Sequence, residues 1–157
     1  MIPLLMARAQ PLRWRPVGLL VPRSIEVECA EGTVASLEIG RSSSVYVGHL
    51  EKQVWRLDKN GPNFYRDSPE EASWPPVHGT FELGEAVTFA AGPRFQWKVT
   101  DFWKSREGFC DDGARRLMEF SGQDLWIHGG VDDEAVLPPL LFVGLIHSFF
   151  RKYEGAA

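Results

Sequence analysis

The chain has 157 residues, 44% of them apolar, with a formal net charge of −4. That length fits one domain with a real core, and that composition excludes wholesale disorder. The negative balance gives no general attraction to nucleic acid, so no nucleic-acid partner is expected.

The N-terminal stretch MIPLLMARAQPLRWRPVG is basic and acid-poor. Its apolar piece is too short, and too soon interrupted by Arg8, for a secretory signal. Residues 1–11 read as a flexible arm leading into a first strand. Cys29 and Cys110 stand far apart, outside any metal-ligand spacing. They read as two buried thiols, and a reducing cytoplasm is the expected compartment.

From residue 24 the dominant period is two, the mark of half-buried strands. SIEVECA sets Ile25, Val27 and Cys29 against Glu26 and Glu28. TVASLEIG places Ala35, Leu37 and Ile39 on one face. SVYVGHL follows, then QVWRLDK with Trp55 and Leu57 together. The Asn60-Gly61 pair is a strong turn signal, and NFYRD returns from it. Residues 68–76, SPEEASWPP, read as a loop. HGTFEL and AVTFAA form the next pair across a Gly-Glu turn. FQWKVTDFW puts Phe95, Trp97 and Val99 on one face, and KSREG turns the chain again. GFCDDGARRLMEF carries a turn at Asp112-Gly113, and DLWIHG closes the series. Ten to twelve short strands at this spacing predict a barrel or sandwich.

The period then changes. Asp132, Asp133 and Glu134 suit a helix N-terminus, Pro138 and Pro139 a first turn, and Arg151 and Lys152 a last turn. The expected helix covers about 138–153. Its apolar run, 136–150, spans only ~22 Å, short of the ~30 Å hydrocarbon layer of a membrane. Leu140, Leu141, Phe142, Val143, Leu145, Ile146, Phe149 and Phe150 point in every direction, and only Gly144, His147 and Ser148 interrupt them. A helix apolar all round is enclosed on all sides. Burying those eight side chains contributes at most about 12–24 kcal/mol. The fold expected is mainly β: a closed antiparallel barrel of about twelve strands around a central hydrophobic C-terminal helix.

The residues GTVASLEIG with VWRLD after it, FQWKVTDF, GFCDDGARRLMEF and EAVLPPLLFVGLIHSFF resemble the tubby C-terminal-like superfamily. The likeness is to a small single-domain member of the phospholipid scramblase or LURP-one-related type. It implies one barrel over residues 12–153, a tail at 154–157, and a link to phospholipid. Tubby domains bind phosphoinositides through basic surface residues, and scramblases are associated with calcium and lipid transfer. The residues at 132–134 do not give a calcium-coordinating spacing, and no functional residue of the family is carried over.

No catalytic constellation emerges. His49, His78, His128 and His147 are scattered, and the serines at 42–44 lack a nucleophile-elbow context. Asp111 and Asp112, with Asp132 and Asp133, could build a calcium site if the loops met, but turn and cap roles explain them more simply. The expectation is therefore a non-enzymatic binding module with no cofactor, no metal and no catalytic residues, peripheral at a phospholipid membrane surface. Trp55, Trp97 and Trp126 read as core. Trp14 and Trp74, in irregular context, are the candidate interfacial anchors, with Arg13 and Arg15 meeting lipid phosphate. Two alternatives remain open. One is a lipocalin-like or START-like small-ligand barrel, or an uncommon enzyme, with the helix outside a cavity. The other is a structural subunit that docks through its C-terminal helix.

Overall fold

A computed structural model describes residues 1–8, 10–18, 24–39, 45–67, 76–82, 84–128 and 135–153. After a short helix α1 (Leu4–Ala7), the strands follow one another with little between them. They are β1 (Leu12–Val17), β2 (Ser24–Cys29), β3 (Gly32–Glu38), β4 (Val45–Leu50), β5 (Gln53–Asp58), β6 (Asn63–Asp67), β7 (Gly79–Glu82) and β8 (Ala86–Phe89). β9 (Arg94–Asp101), β10 (Arg106–Cys110), β11 (Arg116–Ser121) and β12 (Asp124–Ile127) complete the set, and helix α2 (Leu137–Tyr153) ends the chain. Each strand pairs antiparallel with its sequence neighbour, and β12 pairs with β1, through Leu12 opposite Leu125. The twelve strands thus close on themselves, which removes the exposed edges an open sheet would carry.

The period of two sets the inside and outside of the wall. Leu12 and Trp14 of β1, Ile25 and Val27 of β2, Trp55 and Leu57 of β5, and Leu125 and Ile127 of β12 are all buried. Between them, Glu26 and Glu28 face outward, where Arg15 bridges both at 3.0 and 2.9 Å. The expected turn at Asp112-Gly113 is present. Asp111 Oδ1 accepts the backbone N–H groups of Gly113 and Arg115, both at 2.9 Å, and these bonds hold its carboxyl below the usual carboxylate range.

Helix α2 runs through the barrel. Phe142 packs on Gly48 of β4, while Gly144 lies against Phe120 of β11 and Phe109 of β10, across the ring. Two residues of helix turn through about 200°, so neighbouring positions meet opposite walls. Leu140, Leu141, Phe142 and Val143 are completely buried, Leu145, Ile146 and Phe149 nearly so. Phe150 is half-buried and meets Tyr46 edge-on at 5.6 Å. The helix starts one residue before the expected 138, with Pro138 and Pro139 inside the first turn, where their missing N–H groups cost nothing. The expected capping carboxylates, 132–134, lie outside the described residues. Among the described residues no helix is long and apolar enough to cross a membrane.

Residues 1–8, expected as part of a flexible arm, are instead packed onto the barrel. Ile2 N donates to Thr33 O, and Leu4 N donates to Glu51 Oε1, both at 2.8 Å. Leu4 and Ala7 join the core at the end where α2 enters. The physical reason is that a barrel needs a cover where its filling helix starts, and two apolar side chains one helical turn apart supply it. Cys110 is buried and Cys29 half-buried, and both are free thiols.

Candidate functional site at the barrel mouth

Where α1 covers one end of the barrel, α2 emerges at the other. His147 lies beside Gly84 in the β7–β8 turn, Arg151 pairs with Glu107 of β10, and Lys152 Nζ stands 5.5 Å above the Trp14 ring. The β9–β10 and β11–β12 turns reach this same mouth. A cleft of about 650 Å³ opens there between the β9–β10 hairpin and the last turns of the helix.

The hairpin projects beyond the wall. Phe95, at the base of β9, is 7% exposed, whereas Val99 near its tip is 58% exposed. Phe102 and Trp103 in the turn are 77% and 91% exposed and meet edge to face at 5.7 Å. The turn is built, not frayed. Lys104 N donates to Asp101 Oδ1 at 3.1 Å, and Ser105 N closes the turn onto Phe102 O at 3.2 Å. The Ser121 hydroxyl donates to Lys104 O at 3.1 Å, tying the tip to β11. Two large rings held in water add nothing to the stability of the barrel itself, and an exposed apolar cluster of this kind marks an interaction site.

The cleft is lined by the apolar side chains Trp97, Val99, Phe102 and Phe120 and by the charged residues Arg106, Glu107, Arg151 and Lys152. The Arg106 guanidinium lies 4.2 Å from the Trp126 ring centre, with Nη1 3.7 Å from Glu119. Glu119 is almost wholly buried on the outer wall, also 3.2 Å from Arg116 and 3.6 Å from His128. At the cleft floor the His147 ring is 4.5 Å from Trp97 and 6.4 Å from Phe81, centre to centre. Burial holds its pKa below the usual imidazole value.

The structure disperses the candidate anchors. Trp14 is an interior residue with no exposure, and its Nε1–H donates to Gly122 O at 3.2 Å. The expectation that it meets lipid is corrected: its place in β1 obeys the period of two, so its side chain points inward beside Leu12. Arg13 and Arg15 are exposed on the outer wall, where Arg15 is engaged by its two glutamates. Trp74 lies outside the described residues. Trp126, expected in the core, faces outward beneath Arg106, because Leu125 and Ile127 take the inward positions of β12. Trp55 is in the core, and Trp97 is half-buried at the cleft.

Sequence reading missed the tip because it carried β9 through Trp103. The strand stops at Asp101. A signal was present: the adjacent Phe102 and Trp103 break the alternation, and Lys-Ser follows at once. Of the four aspartates weighed as a calcium grouping, Asp132 and Asp133 lie outside the described residues, and among the described residues no three of His, Cys, Asp or Glu converge. Nor does α2 have an open apolar face for docking, or an outside position over a cavity.

Fold and mouth together define a closed twelve-stranded antiparallel barrel, threaded by its own C-terminal helix and open beside an aromatic hairpin. The chain matches no family model, no curated protein and no solved structure.

Proposed function

We propose that this protein is a non-enzymatic binding module of tubby-like, scramblase-like type that docks on phospholipid membrane surfaces through its mouth. The carrying observation is the Phe102–Trp103 pair, held out in water on an ordered turn. Lys104, Arg106, Arg151 and Lys152 surround the same end, which is where cations meet lipid phosphate when aromatic rings enter the interface. Asp101 and Glu107 offset part of that charge, and each is engaged, one by the turn and the other by Arg151.

The magnitudes favour reversible binding. Withdrawing two aromatic side chains from water contributes about 1.5–3 kcal/mol each. Each cation near an anionic leaflet adds ~1 kcal/mol, screened by salt. Together these support a weak, salt-sensitive attachment and not an integral one. The tubby-like reading rests on the barrel, the enclosed helix and the resemblance of its strands.

Flotation with phosphatidylcholine vesicles, with and without phosphatidylserine, tests the proposal. The full chain floats with the anionic vesicles, less so at high salt. Trp103→Ser loses most of that binding while its thermal melt is unchanged. A wild-type chain that stays with the soluble fraction for both vesicle types sinks the proposal.

A further inference from the structure

Gly144, His147, Ser148 and Arg151 are spaced i, i+3, i+4 and i+7, so they form one stripe along α2. The stripe faces β9–β11: Gly144 touches Phe120 and Phe109, His147 meets Trp97, and Arg151 reaches Glu107. Lower in the barrel, large apolar side chains of the helix fill the space to the wall. Toward the mouth this stripe offers a small hydroxyl and an imidazole instead. The cleft of about 650 Å³ is the room they leave, within the ~300–1,000 Å³ typical of small-ligand sites.

We infer that this cleft binds a single-chain anionic amphiphile: an acyl chain carrying a carboxylate or phosphate head. The chain would lie along Trp97, Val99, Phe102 and Phe120, a wall without charged groups. The head would meet Arg151 and Lys152 of the last helical turn, which line the cleft with one carboxylate, Glu107. A guanidinium has five donors, and the pairing of Arg151 with Glu107 leaves N–H groups for an incoming oxyanion. His147 makes no hydrogen bond among the described residues and lines the cleft, so it supplies a further polar contact at the floor. Four large apolar side chains beside two cations of the helix end suit an amphiphile better than a sugar or a nucleotide, which would need polar groups all round.

This goes beyond docking on a membrane, and its test contains no vesicles. A fluorescent fatty-acid probe is bound to the full chain and displaced with palmitate, lysophosphatidate, hexadecanol or hexadecylamine, each kept below its micelle concentration. Palmitate or lysophosphatidate, or both, displace the probe saturably, one molecule per chain. Whichever is stronger names the head group. Hexadecanol and the amine are weaker by at least about tenfold, the scale of a lost charge-assisted hydrogen bond. Ser148→Leu fills the cleft from the helix side and removes displacement. Arg151→Gln, at a surface position, weakens the anions and leaves hexadecanol unchanged. Displacement by neither anion, equal displacement by the amine, or variants that bind as the wild type does would overturn the inference. Trp103 does not line the cleft, so Trp103→Ser keeps amphiphile binding while losing vesicles, and failure of one reading is distinguishable from failure of the other.

Discussion

Gly48 of β4 and Phe142 of α2 are packed so closely that a β-carbon at position 48 would lie 2.3 Å from Phe142 Cδ1 and 2.8 Å from Cε1. The strand has room for the ring only because it has no side chain there. Gly48→Ala therefore costs about 1–3 kcal/mol through overpacking. Phe142→Leu shortens the opposing side chain, so it recovers part of the loss in the Gly48→Ala background. A double-mutant cycle by urea unfolding reads this as a coupling between the two positions, and additive effects would contradict the contact.

The helix is the filling of the barrel, and its removal is expected to destroy the fold. Seven side chains, Leu140, Leu141, Phe142, Val143, Leu145, Ile146 and Phe149, are each at most 5% exposed. A chain ending at residue 135 would leave the inner wall facing an empty or flooded channel. It should lose its near-ultraviolet circular dichroism and its cooperative thermal transition. A truncated chain that still melts cooperatively would mean that the wall closes on its own side chains.

Trp14 and Trp103 should separate stability from binding. Trp14→Phe leaves the Gly122 carbonyl without the indole donor and reduces interior packing, a loss of about 1–3 kcal/mol. Vesicle flotation by the folded variant stays as in the wild type. Trp103→Ser, at a fully solvated turn position, shifts stability by no more than about 0.5 kcal/mol. Denaturant midpoints and flotation on the same two variants check the pair.

Stability should fall on mild acidification. Burial lowers the pKa of His147, and burial followed by the nearby Arg66 lowers that of His78, from the ordinary 6.5. Well above pH 6.5 both imidazoles are neutral whether the chain is folded or not. Below it, the unfolded chain takes up protons that the folded chain resists, so stability drops until the folded-state values are passed. The charged residues that line the cleft with His147 are Arg106, Glu107, Arg151 and Lys152. Replacing both histidines with phenylalanine flattens the acid side of a pH series of urea midpoints. An unchanged slope would place the titration elsewhere.

The barrel was legible because its signal is local and repeated. The strands carry their own alternation, as in Ile25 and Val27 against Glu26 and Glu28, and many turns their own glycine, asparagine or aspartate. The enclosed helix was legible because Leu140 to Phe150 leave no broad polar face, and enclosure is the one solution that hides them all. Trp126 shows where this reasoning weakens. In a short strand between Leu125 and Ile127 an aromatic residue looks like core by composition, yet strand parity puts it outside, and only Arg106 lying over it makes that position comfortable.

The period of the wall, the place of most turns and the burial of α2 follow from side-chain patterns within a few residues, so the chain encodes them locally. The tertiary structure decided what the ends of the barrel do. It docked residues 1–8 under the entry of the helix through Thr33 and Glu51. It gathered Trp97, Phe102, Arg106, His147 and Arg151 around one cleft. Those groups come from β9, β10, the turn between them, and a helix some forty residues later. Their meeting depends on the closure of the ring and on where the helix leaves it, and no local pattern encodes either.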